Sequence, residues 1–168
     1  MTLDIMIIRT QELLAAMPEI WQDGHIAFGI DINPLGNATK EAVLSYFRTK
    51  TTLRSLSGLG SHELQLTASA LNKTDLSDAH RGLAQLLKNE VRMFSGKVIA
   101  THALDQIAAA FFDDMAGCKV YTNKQIRSNE ENSNCLGSWT PVTKHSMDMF
   151  ICAVTDTRIG YWLYGDDE

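Results

Sequence analysis

Residues 147–164 read MDMFICAVTDTRIGYWLY, and this stretch predicts a β-hairpin near the end of the sequence. Two runs rich in β-branched and aromatic residues flank Asp156 and Thr157, which supply the polar residues of a turn. Along both runs the apolar residues fall on both faces, unlike the alternation of a sheet that has one face in water. The pattern therefore predicts a hairpin that is apolar on both of its faces.

The segments before the hairpin carry apolar residues at helical spacing. This spacing predicts four helices: one beginning near Thr10, one from Thr39 to about Thr49, one from Leu76 to Phe94 and one over about 97–116. Thr39 is predicted to cap the second helix and Gly117 to end the fourth, and the polar residues 127–134 predict an exposed loop. A further short helix is expected around Leu53 and Leu56, and residues 63–66 alternate as a strand would. The predicted fold class is α+β: a mainly helical N-terminal domain with a small β element, followed by a long helix and the C-terminal β-hairpin.

The length of 168 residues and the hydrophobic content of 45% are typical of a globular protein that can bury a core. We divide the chain into a helical domain over residues 1–95 and an extension of helix plus hairpin over residues 96–168, packed on the first. The formal net charge is −5, but residues 38–97 carry a net charge of +4 between two acidic flanks. This distribution fits either a local anion-binding face or an ordinary variation of surface charge.

The cysteines and the N-terminal residues indicate the cellular compartment. The three cysteines, at positions 118, 135 and 152, are odd in number and widely spaced, which favours free thiols over a disulfide framework or a zinc knuckle. The N-terminus has no basic region before its short apolar run, so we expect no signal peptide. No window approaches the roughly 18 apolar residues of a membrane-spanning helix. The sequence therefore predicts a cytoplasmic protein without a membrane partner.

Residues 25–36, HIAFGIDINPLG, contain the beginning of a calcium-loop pattern, since Asp31 and Asn33 occupy its first and third positions. The fifth and twelfth positions are Leu35 and Ala42, which offer no side-chain oxygen. We interpret the stretch instead as an apolar segment that joins two helices, followed by a turn. The chain also lacks a P-loop, GxGxxG, HExxH and CxxC. We therefore expect no metal, no cofactor and no enzymatic activity.

Four basic residues in the middle of the chain are candidates for phosphate contacts. Lys40 and Arg48 lie two turns apart on the predicted second helix. Lys50 and Arg54 follow it with the spacing of an i, i+4 pair. Side chains so placed can reach successive phosphates of a nucleic acid, and neighbouring hydroxyl groups can add hydrogen bonds. The alternative is a solvated helix face, and the spacing alone does not choose between the two.

Six short motifs within residues 11–90 resemble the ProQ/FinO family of RNA chaperones. In chain order they are MPEIW, HIAFGIDI, EAVLSYFR, LRSLSG, ELQL and LSDAHRGLA. The resemblance implies a non-catalytic protein that grips structured RNA by its phosphate backbone. Lys40, Arg48 and Arg54 match basic positions of the family's RNA-binding face, and we add Lys50 and His62 to the predicted RNA-binding site. Glu63 departs from the family, since it stands where the family's strand has an arginine.

A second function fits the same sequence: a small acidic inhibitor, or an immunity-type protein, that binds a basic protein partner such as a nuclease. The acidic flanks and the isoelectric point of about 5.5 favour this class, because charge complementarity speeds association with a basic partner. The partner predicted from the sequence is therefore either structured RNA or a basic protein.

Overall fold

The computed structural model describes residues 8–17, 25–58, 60–88, 101–126 and 136–166. Four α-helices lie in these residues: α1 (Arg9–Ala15), α2 (Lys40–Thr49), α3 (Leu76–Leu86) and α4 (Thr101–Asp114). They are accompanied by nine strands: β1 (Ile26–Ile32), β2 (Thr52–Arg54), β3 (Ser61–Glu63), β4 (Asn72–Thr74), β5 (Lys119–Thr122), β6 (Lys124–Ile126), β7 (Leu136–Trp139), β8 (Met147–Val154) and β9 (Arg158–Asp166).

Five strands form one antiparallel sheet in the order β1-β9-β8-β5-β4. The predicted C-terminal hairpin is confirmed, because β8 and β9 pair with each other along their length at the centre of this sheet. Thr155 closes the turn: its N–H donates to the Arg158 carbonyl (2.9 Å), and its hydroxyl oxygen accepts from the Arg158 N–H (3.0 Å). β1 pairs with the other side of β9, so residues 26–32 and 158–166 share one sheet. The strands β2-β3 and β6-β7 form two small separate pairs.

The hairpin is apolar on both faces because each face of the sheet is covered. Met149, Ile151 and Trp162 pack into one core with residues of α1, α3 and α4. Phe150 and Leu163 pack into a second core with residues of α2 and of the β2–β3 hairpin. Since successive strand residues point to opposite faces, each of the two central strands supplies both cores.

Local signals set several helix ends. Thr39 is the N-cap of α2, as predicted, and its hydroxyl accepts a hydrogen bond from the Ala42 N–H (3.2 Å). Asp75 caps α3 in the same way through the Asp78 N–H (2.8 Å). Gly117 follows α4 with φ +79°, a left-handed conformation that glycine adopts without steric cost, which confirms the predicted helix stop.

The predicted arrangement of the fold is wrong. The chain is α+β, but a five-stranded antiparallel sheet forms its centre, and strands rather than a long helix dominate the C-terminal half. Residues 26–32, expected to join two helices, are strand β1, and the segment expected to be helical around Leu53 is strand β2. A short apolar segment fits either a strand or a buried joint, and here its pairing partners decide.

The remaining expectations concern the domain boundary, one loop and membrane-spanning helices. The predicted domain boundary at residues 95–96 and the predicted loop over residues 127–134 lie outside the described residues. Among the residues that are described, every helix is too short or too polar to pass through a lipid bilayer.

Candidate functional site

A cleft of about 650 Å³ opens at one end of the central sheet. Its walls come from distant parts of the chain: the residue before α1, the end of β1, the end of α4 and the β8–β9 turn. The lining residues are Ile8, Ile30, Asp31, Ile32, Asp113, Asp114, Ala116, Thr155, Thr157 and Arg158. The cleft therefore combines apolar walls with three carboxylates and one guanidinium group.

Asn33 fixes the loop after β1 against the β8–β9 turn. Its side chain is buried, and its Nδ2 donates to the carbonyl oxygens of Asn37 (2.6 Å) and Thr155 (2.8 Å). Its Oδ1 accepts from the Leu35 N–H (3.0 Å), and its own N–H donates to the Thr157 carbonyl (3.0 Å). An asparagine amide carries two N–H donors and one acceptor oxygen, so the side chain makes three of these four bonds at once. The loop and the turn therefore form one connected rim of the cleft.

Asp114 holds α1 in place. Its Oδ2 accepts from the N–H (2.8 Å) and the hydroxyl (2.5 Å) of Thr10, and its Oδ1 accepts from the Arg9 N–H (3.3 Å). The carboxylate thus caps the beginning of α1, where Ile8 is the N-cap residue and provides no side-chain hydrogen bond. Arg158 Nη1 donates to the Asp114 carbonyl oxygen (3.0 Å), which ties β9 to the end of α4. We therefore assign Asp114 a structural role.

Asp31 is shared between the cleft and a cluster on α2. Its Oδ2 accepts from the Tyr46 hydroxyl (3.0 Å), and Lys50 Nζ lies 3.7 Å from the same oxygen. Lys50 also donates to the Tyr46 hydroxyl oxygen (2.8 Å) and lies over the ring of Tyr161. Burial, with Asp31 and Cys152 as further causes, raises the pKa of Tyr161 to about 12. The tyrosine is therefore neutral at physiological pH, and the cluster contains one carboxylate and one ammonium group.

Large apolar side chains are exposed beside the cleft. Ile32 is 66% exposed at the end of β1, and Leu35 is 46% exposed in the loop that Asn33 anchors. The carboxylates of Asp113 and Asp156 are exposed on the neighbouring helix end and turn. Apolar groups grouped with charged ones at the surface are typical of a binding site. We call Asp31, Ile32, Leu35, Asp113 and Asp156 the cleft surface.

The predicted RNA-binding residues lie elsewhere, on α2 and the β2–β3 hairpin. Arg48 is exposed and forms an ion pair with Glu41 (3.0 Å between Nη2 and Oε1). Lys50 belongs to the Asp31 cluster. Lys40 is half-buried at the start of α2, and Arg54 is exposed on β2. The structure thus brings four predicted cations to neighbouring elements, but two of them already contact carboxylates.

His62 and Glu63 further change the predicted site. His62 is only 4% exposed and forms a hydrogen bond with His145, so its side chain is turned away from the surface. Glu63 is exposed on the same face of the β2–β3 hairpin as Arg54 and forms an ion pair with Lys144 (3.3 Å). The positive face predicted from the sequence is therefore interrupted by Glu41 and Glu63.

Sequence reasoning missed the cleft surface. Asp113 and Asp114 are adjacent carboxylates at the end of α4, and the sequence does not indicate that Asp114 binds the first turn of α1. Nothing in the local sequence marks Ile32 as exposed, because it continues the apolar pattern of β1. Ile32 is exposed because β1 extends to the end of the sheet, where Ile32 pairs with Arg158 of β9.

Two observations concern the metal-ligating and nucleophilic side chains. The described residues contain no group of three or more His, Cys, Asp or Glu side chains that could hold a metal ion. Cys152 is fully buried, and burial raises the pKa of its thiol, so it is a poor nucleophile at neutral pH.

Comparisons of the chain with protein-family models, curated proteins and solved structures gave no match. The functional assignment therefore depends on the contacts and exposures described above.

Proposed function

We propose that this chain is a non-catalytic binding protein that docks a basic protein partner at the cleft surface. The observation that carries the proposal is the 66% exposure of Ile32 beside the carboxylates of Asp31 and Asp113. Specific protein interfaces commonly place an apolar anchor at the centre and polar or charged groups around it. The functional class is that of an inhibitor or immunity-type protein for a basic enzyme such as a nuclease. A cytoplasmic location, predicted from the free thiols, belongs to the same proposal.

Charge favours a basic partner over an acidic one. The chain has a net charge of −5. Of the three carboxylates of the cleft surface, Asp31 lies 3.7 Å from Lys50, whereas Asp113 and Asp156 are exposed and have no ion-pair partner in the described part of the chain. Arg158 also lines the cleft, but its guanidinium group donates to the Asp114 carbonyl. Opposite charges on the two partners would speed their association and discriminate against acidic competitors such as nucleic acid.

RNA binding, as the ProQ/FinO resemblance implies, is the second candidate. It is favoured by Lys40 and Arg54, for which the described part of the chain contains no ion-pair partner. Counterion release makes affinity for RNA scale with the number of phosphates neutralised. Since Arg48 and Lys50 contact Glu41 and Asp31, fewer cations are available than the sequence indicated.

The test is capture of a partner followed by measured affinity. The immobilised chain is used to retain basic proteins from an extract of the source cells, and the retained protein is purified and titrated by calorimetry. We expect Ile32→Asp to weaken the affinity at least about thirtyfold. This factor corresponds to a loss of about 2 kcal/mol of binding free energy, which is typical of a substitution at an interface hot spot. The matched control is Leu76→Asp, which changes another exposed leucine-sized side chain (51% exposed) on α3.

The possible outcomes separate the two candidates. Equal losses for Ile32→Asp and Leu76→Asp, or retention of no basic protein by the wild-type chain, would overturn the docking proposal. Filter binding of a structured RNA hairpin across a salt series tests the second candidate. Tight binding at low salt that is lost in the Lys40→Ala/Arg54→Ala double variant, but kept in Ile32→Asp, would assign the function to RNA.

A further inference from the structure

Two imidazole rings contact each other at the opposite end of the sheet from the cleft. His62 Nδ1, on β3, and His145 Nε2 lie 3.0 Å apart, within hydrogen-bond distance. The ring centroids are 5.1 Å apart and the planes are inclined by 68°. The His145 ring also packs on Gly165 of β9, so closely that a Cβ atom at Gly165 would lie 2.5 Å from His145 Cδ2. Surrounding structure therefore holds the two rings together.

The pair is one of several contacts between two parts of the fold, which also share an apolar core that contains Leu53 and Val142. His62 belongs to the β2–β3 hairpin, and His145 belongs to residues 140–146, which we call the clasp segment. One backbone hydrogen bond runs beside the pair, from the Gln65 N–H to the Val142 carbonyl (2.6 Å). On its other side the clasp segment is anchored to β8 by hydrogen bonds from Val142 and Thr143 to Asp148. Loss of the imidazole contact would therefore leave the clasp segment attached to the sheet, and its effect is expected at the neighbouring Gln65–Val142 hydrogen bond.

A hydrogen bond between two imidazole nitrogens requires one donor and one acceptor, so at least one ring must be neutral. Free histidine has a pKa of about 6.5. Below that pH both rings tend to be protonated when they reach water, and two protonated rings present only N–H donors and like charges to each other. In acid, the state in which the two rings are in contact therefore binds fewer protons than the state in which they are apart. Lowering the pH shifts the equilibrium toward the separated state.

The charged groups around the pair already have partners. Glu63 and Lys144, each next in sequence to one of the histidines, form an ion pair with each other (3.3 Å), and both side chains are mostly exposed. Asp166, one residue beyond Gly165, lies 3.7 Å from His25 Nδ1. Asp148 accepts hydrogen bonds from the clasp segment itself. The exposed Glu63–Lys144 pair is screened by solvent, so it does little to offset charge on the two rings.

We propose that His62 and His145 form a pH-sensitive clasp, which holds the β2–β3 hairpin to the clasp segment near neutral pH and releases it in acid. Release would increase the mobility of the hairpin while the five-stranded sheet stays folded. This device is independent of partner binding at the cleft surface, which lies at the Arg158 end of β9, whereas the clasp lies at the Gly165 end.

Amide hydrogen exchange on the full chain tests the proposal. The probe is the Gln65 N–H, whose bond to Val142 crosses the clasp, with amides of the β8–β9 pair as an internal reference. Uptake of one extra proton on opening makes the opening constant rise tenfold per pH unit below 6.5. Between pH 7.5 and 5.0, after correction for intrinsic exchange rates, we expect the protection factor of Gln65 to fall about thirtyfold and the reference amides to change little.

Matched variants isolate the two rings. His145→Gln and His62→Asn place an amide nitrogen or oxygen near the ring nitrogen that each one replaces, and neither amide titrates. Each variant should reduce the pH effect at Gln65 to less than about threefold. His102→Gln, which removes an exposed histidine on α4, should keep the thirtyfold effect.

Two results would overturn the clasp: no acid effect at Gln65 in the wild-type chain, or an equal effect in the wild type and in a folded His145→Gln or His62→Asn variant. If both variants fail to fold, NMR titration of the wild-type imidazole signals decides. Coupled, two-step titration of His62 and His145 supports the clasp, and independent single-step titration of both rings contradicts it.

Discussion

Thr143 donates two hydrogen bonds to one oxygen of Asp148, from its backbone N–H and from its hydroxyl, both at 2.8 Å. The same carboxylate accepts from the Val142 N–H (3.0 Å) and from Asn123 Nδ2 (2.7 Å). The Asp148 residue is 1% exposed, so these four bonds take the place of water around a buried charge. They also join the segment that carries His145 to the central strand β8.

Asp148→Asn should strongly destabilise the protein. The amide replaces one of the two accepting oxygens with an NH2 group, which then faces the N–H and O–H donors that the carboxylate had accepted from. We expect a loss of about 3 kcal/mol or more in the free energy of unfolding, as is typical when a buried charged network is broken. Urea denaturation followed by circular dichroism measures the loss. Asp156→Asn, in the exposed β8–β9 turn, is the control and should change stability by less than about 0.5 kcal/mol. A loss below about 1 kcal/mol for Asp148→Asn would contradict the proposed importance of this network.

Asp114→Ala should destabilise the protein through α1. The substitution removes the acceptor for the Thr10 N–H and hydroxyl and for the Arg9 N–H, and we expect a loss of about 1–2 kcal/mol. Hydrogen exchange at the Thr10 amide should accelerate at the same time. The control is Asp113→Ala, the neighbouring exposed carboxylate, for which we expect a change within about 0.5 kcal/mol. Equal losses for the two variants would show that Asp114 does not act as a cap.

Gly160→Ala should destabilise the protein by overpacking. A Cβ atom at Gly160 would lie 2.8 Å from Phe111 Cε2 and 3.0 Å from Met115 Sδ, inside the core between β9 and α4. We expect a loss of about 1–3 kcal/mol and a lower melting temperature in calorimetry. Gly60→Ala is the control, because a Cβ atom there meets nothing within 4 Å. An unchanged melting temperature for Gly160→Ala would mean that α4 and β9 separate more easily than their packing suggests.

Tyr161 should make stability depend on pH in the alkaline range. Burial, then Asp31 and Cys152, raise its pKa to about 12, whereas a tyrosine in the unfolded chain has a pKa near 10. The unfolded state therefore loses its proton first, and the stabilising contribution present below pH 10 is lost as the pH rises from 10 to 12. Tyr161→Phe should reduce the slope of unfolding free energy against pH above pH 10, measured by urea denaturation at several pH values. An identical slope in the variant would exclude Tyr161 as the source.

Much of the local structure follows from the sequence. The C-terminal hairpin, the Thr39 cap and the glycine stop at Gly117 are confirmed, because each depends on residues close together in the chain. An apolar run with a polar turn favours a hairpin, a hydroxyl before a helix accepts its first amides, and glycine alone takes a left-handed φ without strain. The apolar character of β8 and β9 on both faces is the sequence property that places them at the centre of the sheet.

Long-range pairing decided what the sequence did not predict. Residues 26–32 became an edge strand only because β9 offers a partner, and the same pairing exposes Ile32 at the cleft. His62, predicted to contact RNA, is buried because residues 140–146 bring His145 against it. Sequence determined which short segments turn, cap or bury apolar surface, since those preferences are local. Tertiary structure decided which distant charges and rings meet, because burial and hydrogen-bond partners depend on parts of the chain that only folding brings together.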